Sequence, residues 1–168
     1  SMTGLFFFFF SFNKPLNNWN VSNVTNMSTI FSGASSFNQS LATWDVSNVL
    51  YMNSFFGAYM NVTPDVGIST PNYDATLIGW NNLPLQSSVT FDAGTSKYCT
   101  SETQRQSIID YKFWAINDSG KDCSAPTTEP FIMRIKTDNV GATNDNQYGI
   151  ALDLNSYSYN FNVDCDSD

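Results

Sequence analysis

Seven acidic side chains lie between residues 61 and 125, and the chain contains no histidine at all. Without imidazole, the commonest general base and metal ligand is missing, which removes Ser-His-Asp triads, Cys-His dyads and ordinary zinc sites. What remains for acid–base work is a carboxylate pair. Asp65, Asp74 and Asp92 are the candidates, no spacing singles out two of them, and the expectation is that the chain is not an enzyme. At the far end, Asp164-Cys-Asp166-Ser-Asp168 alternates carboxylates as the first half of a calcium loop does. The Gly and the closing Glu of such a loop are absent. A solvated acidic terminus is the main reading, calcium at Asp164, Asp166 and Asp168 the alternative, and no other cofactor is expected.

The elements that would position any site begin with composition. Asn, Ser and Thr supply 56 of 168 residues, against 22 charged ones, so the surface is hydrogen-bonding rather than ionic. A net charge of −8 with seven cations cannot displace many phosphate counterions, which argues against nucleic acid and anionic membranes as partners. Residues 1–60 carry only Lys14 and Asp45, and the excess acid lies after them. The longest apolar run, Leu5 to Phe10, is six residues, so no membrane span is expected.

An internal repeat dominates the first third. Phe12-Asn-Lys-Pro-Leu-Asn-Asn-Trp-Asn-Val-Ser-Asn-Val returns as Phe37-Asn-Gln-Ser-Leu-Ala-Thr-Trp-Asp-Val-Ser-Asn-Val. The shared apolar positions give the expected repeat core: Leu16, Trp19, Val21, Val24, Met27 and Phe31, then Leu41, Trp44, Val46, Val49, Met52 and Phe56. A worn third copy begins at Tyr73, where Leu77 and Trp80 keep the offsets, and residues 5–11 read as the tail of a preceding copy. Five consecutive phenylalanines, Phe6 to Phe10, cannot alternate as the repeat does, so some must point outward.

Within each copy, Leu-x-x-Trp-x-Val-x-Asn alternates like a strand, and the Val, Met and Phe that follow step by threes and fours. The pattern predicts a leucine-rich-repeat-type α/β solenoid of short strands plus short helices or 3₁₀ turns. A single coil cannot bury both its edges, so stickiness or self-association is expected at the Phe6–Phe10 end.

With these residues in view, the chain resembles BspA-like leucine-rich repeat surface proteins. The similarity continues through Tyr73-Asp-Ala-Thr-Leu-Ile-Gly-Trp80, Val89 to Cys99, Ser107-Ile-Ile-Asp and Gly120-Lys-Asp-Cys123, which resemble the cap of such arrays. Residues 131–164 resemble the β-rich segment that opens the next module. The resemblance implies a secreted or cell-surface, non-enzymatic protein used in adhesion.

The expected organisation is solenoid repeats over 1–72 (partial 5–11, full 12–36 and 37–61), then a degenerate repeat and cap over 73–123. A linker over 124–130 and a β-rich module over 131–168, expected to be incomplete, follow. In the cap, Ser101 and Gln104 form a capping-box pattern before a helix with Ile108 and Ile109, and Phe113 to Ile116 reads as a short strand. Cys99 and Cys123 flank that unit. They are expected to form a disulfide, the alternative being two reduced buried thiols. Cys165 is then unpaired within the chain. In the tail, Phe131–Lys136 and Tyr157–Val163 alternate as strands do.

Trp19 and Trp44, one repeat apart, suit either a sugar-stacking platform or the core, and their place in the repeat favours the core. Asn23 and Asn48 fit a ladder that satisfies turn backbones. Asn20, Asn23, Asn26, Asn38, Asn61 and Asn117 match the N-glycosylation pattern, a consequence of composition. The expected contact face is Asn20, Ser22 and Thr25 with Asp45 and Ser47, offered to a host or surface protein or a polysaccharide. The alternative is a structural module that assembles into filaments or a surface layer.

Overall fold

The computed structural model describes residues 1–60, 65–124, 131–136 and 147–152. The chain divides into two units, Ser1–Cys123 and Ser124–Asp168, and each is described by itself.

Residues 1–60 run as stacked coils joined by backbone hydrogen bonds from one coil to the next. The N–H groups of Met2, Gly4, Phe6 and Phe8 donate to the carbonyls of Asn26, Ser28, Ile30 and Ser32 at 2.8–3.1 Å. One coil later, Met27, Thr29 and Phe31 donate in the same way to Tyr51, Asn53 and Phe55 at 2.8–3.0 Å. Each of these bonds donates forward along the sequence. Between rungs the chain folds back on itself, Leu5, Phe7 and Phe9 donating to Met2, Gly4 and Phe6, and Ile30, Ser32 and Ala34 to Met27, Thr29 and Phe31. The repeat therefore takes the form of tight turns with isolated parallel bridges (Asn26 with Tyr51, Met52 with Phe91) instead of a strand followed by a helix. A left-handed residue recurs in each coil, at Gly4 (φ 63°), Thr29 (57°) and Ser54 (49°). For the threonine and serine that conformation costs about 1 kcal/mol each, which the stacked coils must outweigh.

The phenylalanines explain why the coils stack. Phe31 lies between Phe6 (centroids 5.3 Å apart, planes 3° apart) and Phe56 (5.5 Å, 21°), and a second column pairs Phe12 with Phe37 at 5.9 Å. Leu16, Val21, Met27, Leu41, Trp44, Val46, Val49 and Met52 are buried around them, and Val24 is partly buried against the cluster. Of the five-phenylalanine run, Phe6 belongs to this core and Phe8 takes a left-handed conformation (φ 59°) where Gly33 stands one coil later. Phe9 and Phe10 project into solvent, 58% and 53% exposed.

Trp19 departs from the expected core. It is 43% exposed, whereas Trp44 and Trp80 are fully buried. The reason is the neighbour each indole meets. Trp44 Nε1 donates to the Leu16 carbonyl one coil back and Trp80 Nε1 to that of Leu41, both at 3.0 Å. Trp19 has no earlier leucine carbonyl within the described coils and instead lies against the Phe6 ring at 5.7 Å.

The cap continues the same stack. Helix α1, Thr70–Asn81, has proline in its first turn and buries Tyr73, Thr76, Leu77 and Trp80 along one face. Gly79 lets it approach the last full coil, since a Cβ there would stand 2.4 Å from the Ala42 carbonyl oxygen. Strand β1, Thr90–Asp92, joins the ladder through Asp92, whose N–H donates to Met52 and whose carbonyl accepts from Phe56. Helix α2, Glu102–Lys112, leads to strand β2, Ala115–Asn117, which pairs in parallel with β1. On the outer side of β2, Arg105 Nη2 donates to the Ile116 carbonyl at 3.4 Å, so that edge is covered by a side chain.

Cys99 and Cys123 are joined by a disulfide with their Cα atoms 4.8 Å apart. In the second unit, β3, Phe131–Lys136, pairs antiparallel with β4, Gln147–Leu152, in the register Phe131 to Leu152 and Lys136 to Gln147. The strand expected over Tyr157–Val163, Cys165 and the Asp164, Asp166 and Asp168 carboxylates lie outside the described residues.

Candidate functional site

The candidate face is built from one short turn that occurs once in each repeat. In the first copy the Asn20 side-chain oxygen accepts from the Ser22 N–H (3.1 Å) and hydroxyl (2.7 Å). In the second, Asp45 Oδ1 accepts from the Ser47 N–H at 3.0 Å. Asparagine and aspartate favour such turns because their side chains reach the backbone two residues on. The Ser47 hydroxyl and N–H hold the Asp45 carboxyl below its usual range, so it is fully charged at neutral pH. Thr25 is exposed, and its carbonyl accepts from Leu50 and Tyr51 of the next coil.

Amide side chains stitch these turns together. Asn48 Nδ2 donates to the Ser22 carbonyl at 2.8 Å, and Gln86 Nε2 does the same for Ser47 at 2.9 Å. Asn23, the counterpart of Asn48, is exposed and makes no such bond among the described residues. On another side of the coils, the Asn13 side chain accepts from the Asn38 N–H, and the Asn38 side chain accepts from the Ser69 N–H. The groups left facing water are the Asn20 NH2, the Thr25 hydroxyl and the Asp45 carboxylate, beside the exposed Leu50 (46%) and Tyr51 (54%). That set can exchange hydrogen bonds and offer an apolar and an aromatic surface to a neutral ligand.

The three carboxylates considered for acid–base chemistry divide into two places. Asp74 is buried in the cap, where its Oδ1 accepts from the N–H groups of Cys99 (3.0 Å) and Ser101 (3.1 Å) and from the Ser101 hydroxyl (2.6 Å). Its Oδ2 accepts from the Thr100 N–H and hydroxyl, both at 3.0 Å. Burial pushes its pKa up, but the bonds from Ser101, Thr100 and Cys99 outweigh it and hold the carboxyl below its usual range. Asp92 and Asp65 are brought into electrostatic reach of one another. Burial raises the Asp92 pKa, the Gly94 N–H partly offsets that, and the Asp65 charge raises it further. Asp65 Oδ1 meanwhile accepts from the Ala58 N–H at 2.5 Å.

The expected capping box at Ser101 and Gln104 does not form. The Ser101 hydroxyl turns to Asp74 instead of the helix N–H groups, and Gln104 Oε1 is buried with no partner among the described residues. Sequence reasoning also missed the cluster beside it. Arg105 binds Asp118 through two bonds (Nε to Oδ2 2.7 Å, Nη2 to Oδ1 3.2 Å), Tyr73 donates its hydroxyl to Asp118 Oδ2 at 2.9 Å, and the guanidinium lies 5.0 Å from the Tyr98 ring centre. Burial, reinforced by the Asp118 charge, lifts the Tyr73 hydroxyl well above its usual range. No local motif joins residues 73, 98, 105 and 118.

Among the described residues no group of three or more His, Cys, Asp or Glu stands together to hold a metal ion, and no helix is long and apolar enough to cross a membrane. No curated protein and no solved structure matches the chain. Residues 1–71, which hold the repeats and the candidate face, match the model of a family described as a Mycoplasma protein of unknown function, DUF285, and this much of the chain is similar to that family.

Proposed function

We propose that the chain is a non-catalytic binding module of an extracellular or cell-surface protein, a short leucine-rich-repeat-type solenoid that adheres through its polar face. The observation that carries this reading is the repeated Asn20/Ser22 and Asp45/Ser47 turn, which sets exposed hydrogen-bonding groups in register on consecutive coils. The similarity of residues 1–71 to a Mycoplasma family and the resemblance of the repeats to BspA-like surface proteins support the setting. The Cys99–Cys123 bridge suits an oxidising compartment. The ligand class is a neutral polysaccharide or a surface protein, met by many weak hydrogen bonds around Thr25, Leu50 and Tyr51.

The test is a screen of the full chain against immobilised neutral glycans and matrix proteins, repeated with Thr25→Arg and Tyr51→Ala. A ligand bound through this face loses about tenfold in affinity with either variant, while Lys97→Ala, on the cap, leaves binding unchanged. A ligand that ignores both substitutions, or no ligand in the screen, sinks the reading.

A further inference from the structure

The repeats and the cap share one ladder. Parallel bridges join Asn26 with Tyr51 and Met52 with Phe91, and the β1–β2 register joins Phe91 with Ile116 and Thr90 with Ala115. In parallel pairing the residues on either side of a bridge fall opposite one another too, so four segments of the chain lie in one register. Their central row is Met27, Met52, Phe91 and Ile116, and it points inward: the first three are fully buried and Ile116 packs against the core. Side chains alternate along an extended chain, so the residues one place before and one place after turn outward. Asn26, Tyr51, Thr90 and Ala115 form one outer row, and Ser28, Asn53, Asp92 and Asn117 the other, all of them exposed or half-buried. With neighbouring segments about 4.8 Å apart, this strip is about 14 Å long. It passes from the repeats onto the cap without a break, it holds no lysine or arginine, and Asp92 is its one charge.

We infer that this strip is a binding track for a linear, uncharged polysaccharide that lies along the ladder from Asn26 to Ala115. The inference rests on the reading of the coils as a binding face; it adds the cap strands to that face and commits the ligand to one class. A neutral sugar ring is an apolar plate of C–H groups with hydroxyls at its rim. Tyr51, 54% exposed, offers an aromatic face to the plate. The asparagine amides and the serine and threonine hydroxyls around it both donate and accept, as the sugar hydroxyls do. Ala115 adds little height at the β2 end, so an extended chain can lie flat across it. An acidic polysaccharide finds no cation in either row, and the Asp92 charge repels it. A protein partner fits less well, because protein contacts centre on several large apolar side chains gathered into one desolvated patch. Tyr51 is the only large apolar side chain in the two outward rows.

The experiment titrates the full chain with the disaccharides and hexasaccharides of β-linked glucose, mannose and N-acetylglucosamine, followed by calorimetry and by backbone amide resonances. At least one hexasaccharide is expected to bind and to shift the amides of Tyr51, Thr90, Ala115 and Asn117. It binds about tenfold more tightly than its disaccharide, because the longer chain makes more bonds along the strip. Thr90→Arg and Ala115→Arg, both at exposed cap positions, weaken it by about tenfold with the melting temperature unchanged. Asn117→Ala, which removes a single exposed amide and leaves the backbone pairing in place, weakens it by about threefold and serves if an arginine disturbs the cap. Equal affinity for the two chain lengths overturns the inference. A hexasaccharide that responds to Thr25→Arg and Tyr51→Ala but to none of the cap variants also overturns it and leaves the face on the coils standing. A matrix protein bound through Thr25 and Tyr51, with no hexasaccharide bound, does the same. If neither saccharide nor protein binds, both readings fall.

Discussion

Asp74 on the first cap helix anchors the segment that leads into the second: its carboxylate takes the N–H groups of Cys99, Thr100 and Ser101, immediately ahead of α2, and the Thr100 and Ser101 hydroxyls. The negative charge sits at the positive end of the α2 dipole, where it is favoured.

Replacing this carboxylate tests that role. Asp74→Asn halves the acceptor capacity and leaves buried donors unpaired, and a loss of about 2 kcal/mol is expected at neutral pH. Because the folded-state pKa is depressed, the contribution is complete above the unfolded value near 4 and fades as pH falls through the lower folded value. Wild type and variant should therefore converge in acid. Urea unfolding at several pH values measures it, and a gap that persists undiminished at pH 2 contradicts it.

Asp92 carries the opposite sign. Its pKa is raised by burial and by Asp65, so its charged form disfavours the fold above the folded pKa. Asp92→Asn keeps the acceptor for the Gly94 N–H (3.2 Å) and removes the charge. A higher melting temperature is expected at pH 7 and none at pH 3, where the wild-type carboxyl is protonated. A lower melting temperature at pH 7 would show that the carboxylate makes a contact worth more than its burial costs.

The two buried tryptophans of the stack predict a matched pair of losses. Trp44→Phe and Trp80→Phe each remove the indole bond to a leucine carbonyl, which keeps only its backbone partner (the Trp19 or Trp44 N–H), and leave a small void, about 1–3 kcal/mol apiece. Trp19→Phe, at an exposed position, costs under about 1 kcal/mol. Acrylamide quenching separates them further: the readily quenched fraction of emission should disappear with Trp19 and survive the loss of Trp44.

Much of the stack was legible because it repeats. Positions that recur in both copies mark Leu16, Val21, Phe31, Leu41, Trp44 and Phe56 as residues with the same neighbours, and they are buried. Trp19 shows the limit, since its burial depends on what precedes its coil and not on its own pattern. The asparagine at 48 was readable as a turn-satisfying side chain, but that Gln86 would continue the series was not, because it lies 39 residues from its acceptor with no repeat to announce it. The Asp74 anchor and the Arg105–Asp118 pair were invisible for the same reason: they join residues 27 and 13 apart through tertiary folding alone.

Breaking the cap bridge should lower stability by about 3 kcal/mol, since it constrains a separation of 24 residues in the unfolded chain. Cys99→Ser with Cys123→Ser, melted beside the wild type without reductant, gives the value. Thiol titration of the unfolded wild type should find one reactive group among its three cysteines.

The same bridge has a mechanical consequence. A chain pulled from both ends can be straightened everywhere except between the two linked sulfurs, and 24 residues at roughly 3.4 Å each amount to about 80 Å of contour withheld from extension. A reductant releases that length under load, so the redox state of the surroundings sets how far the protein can stretch before it bears tension.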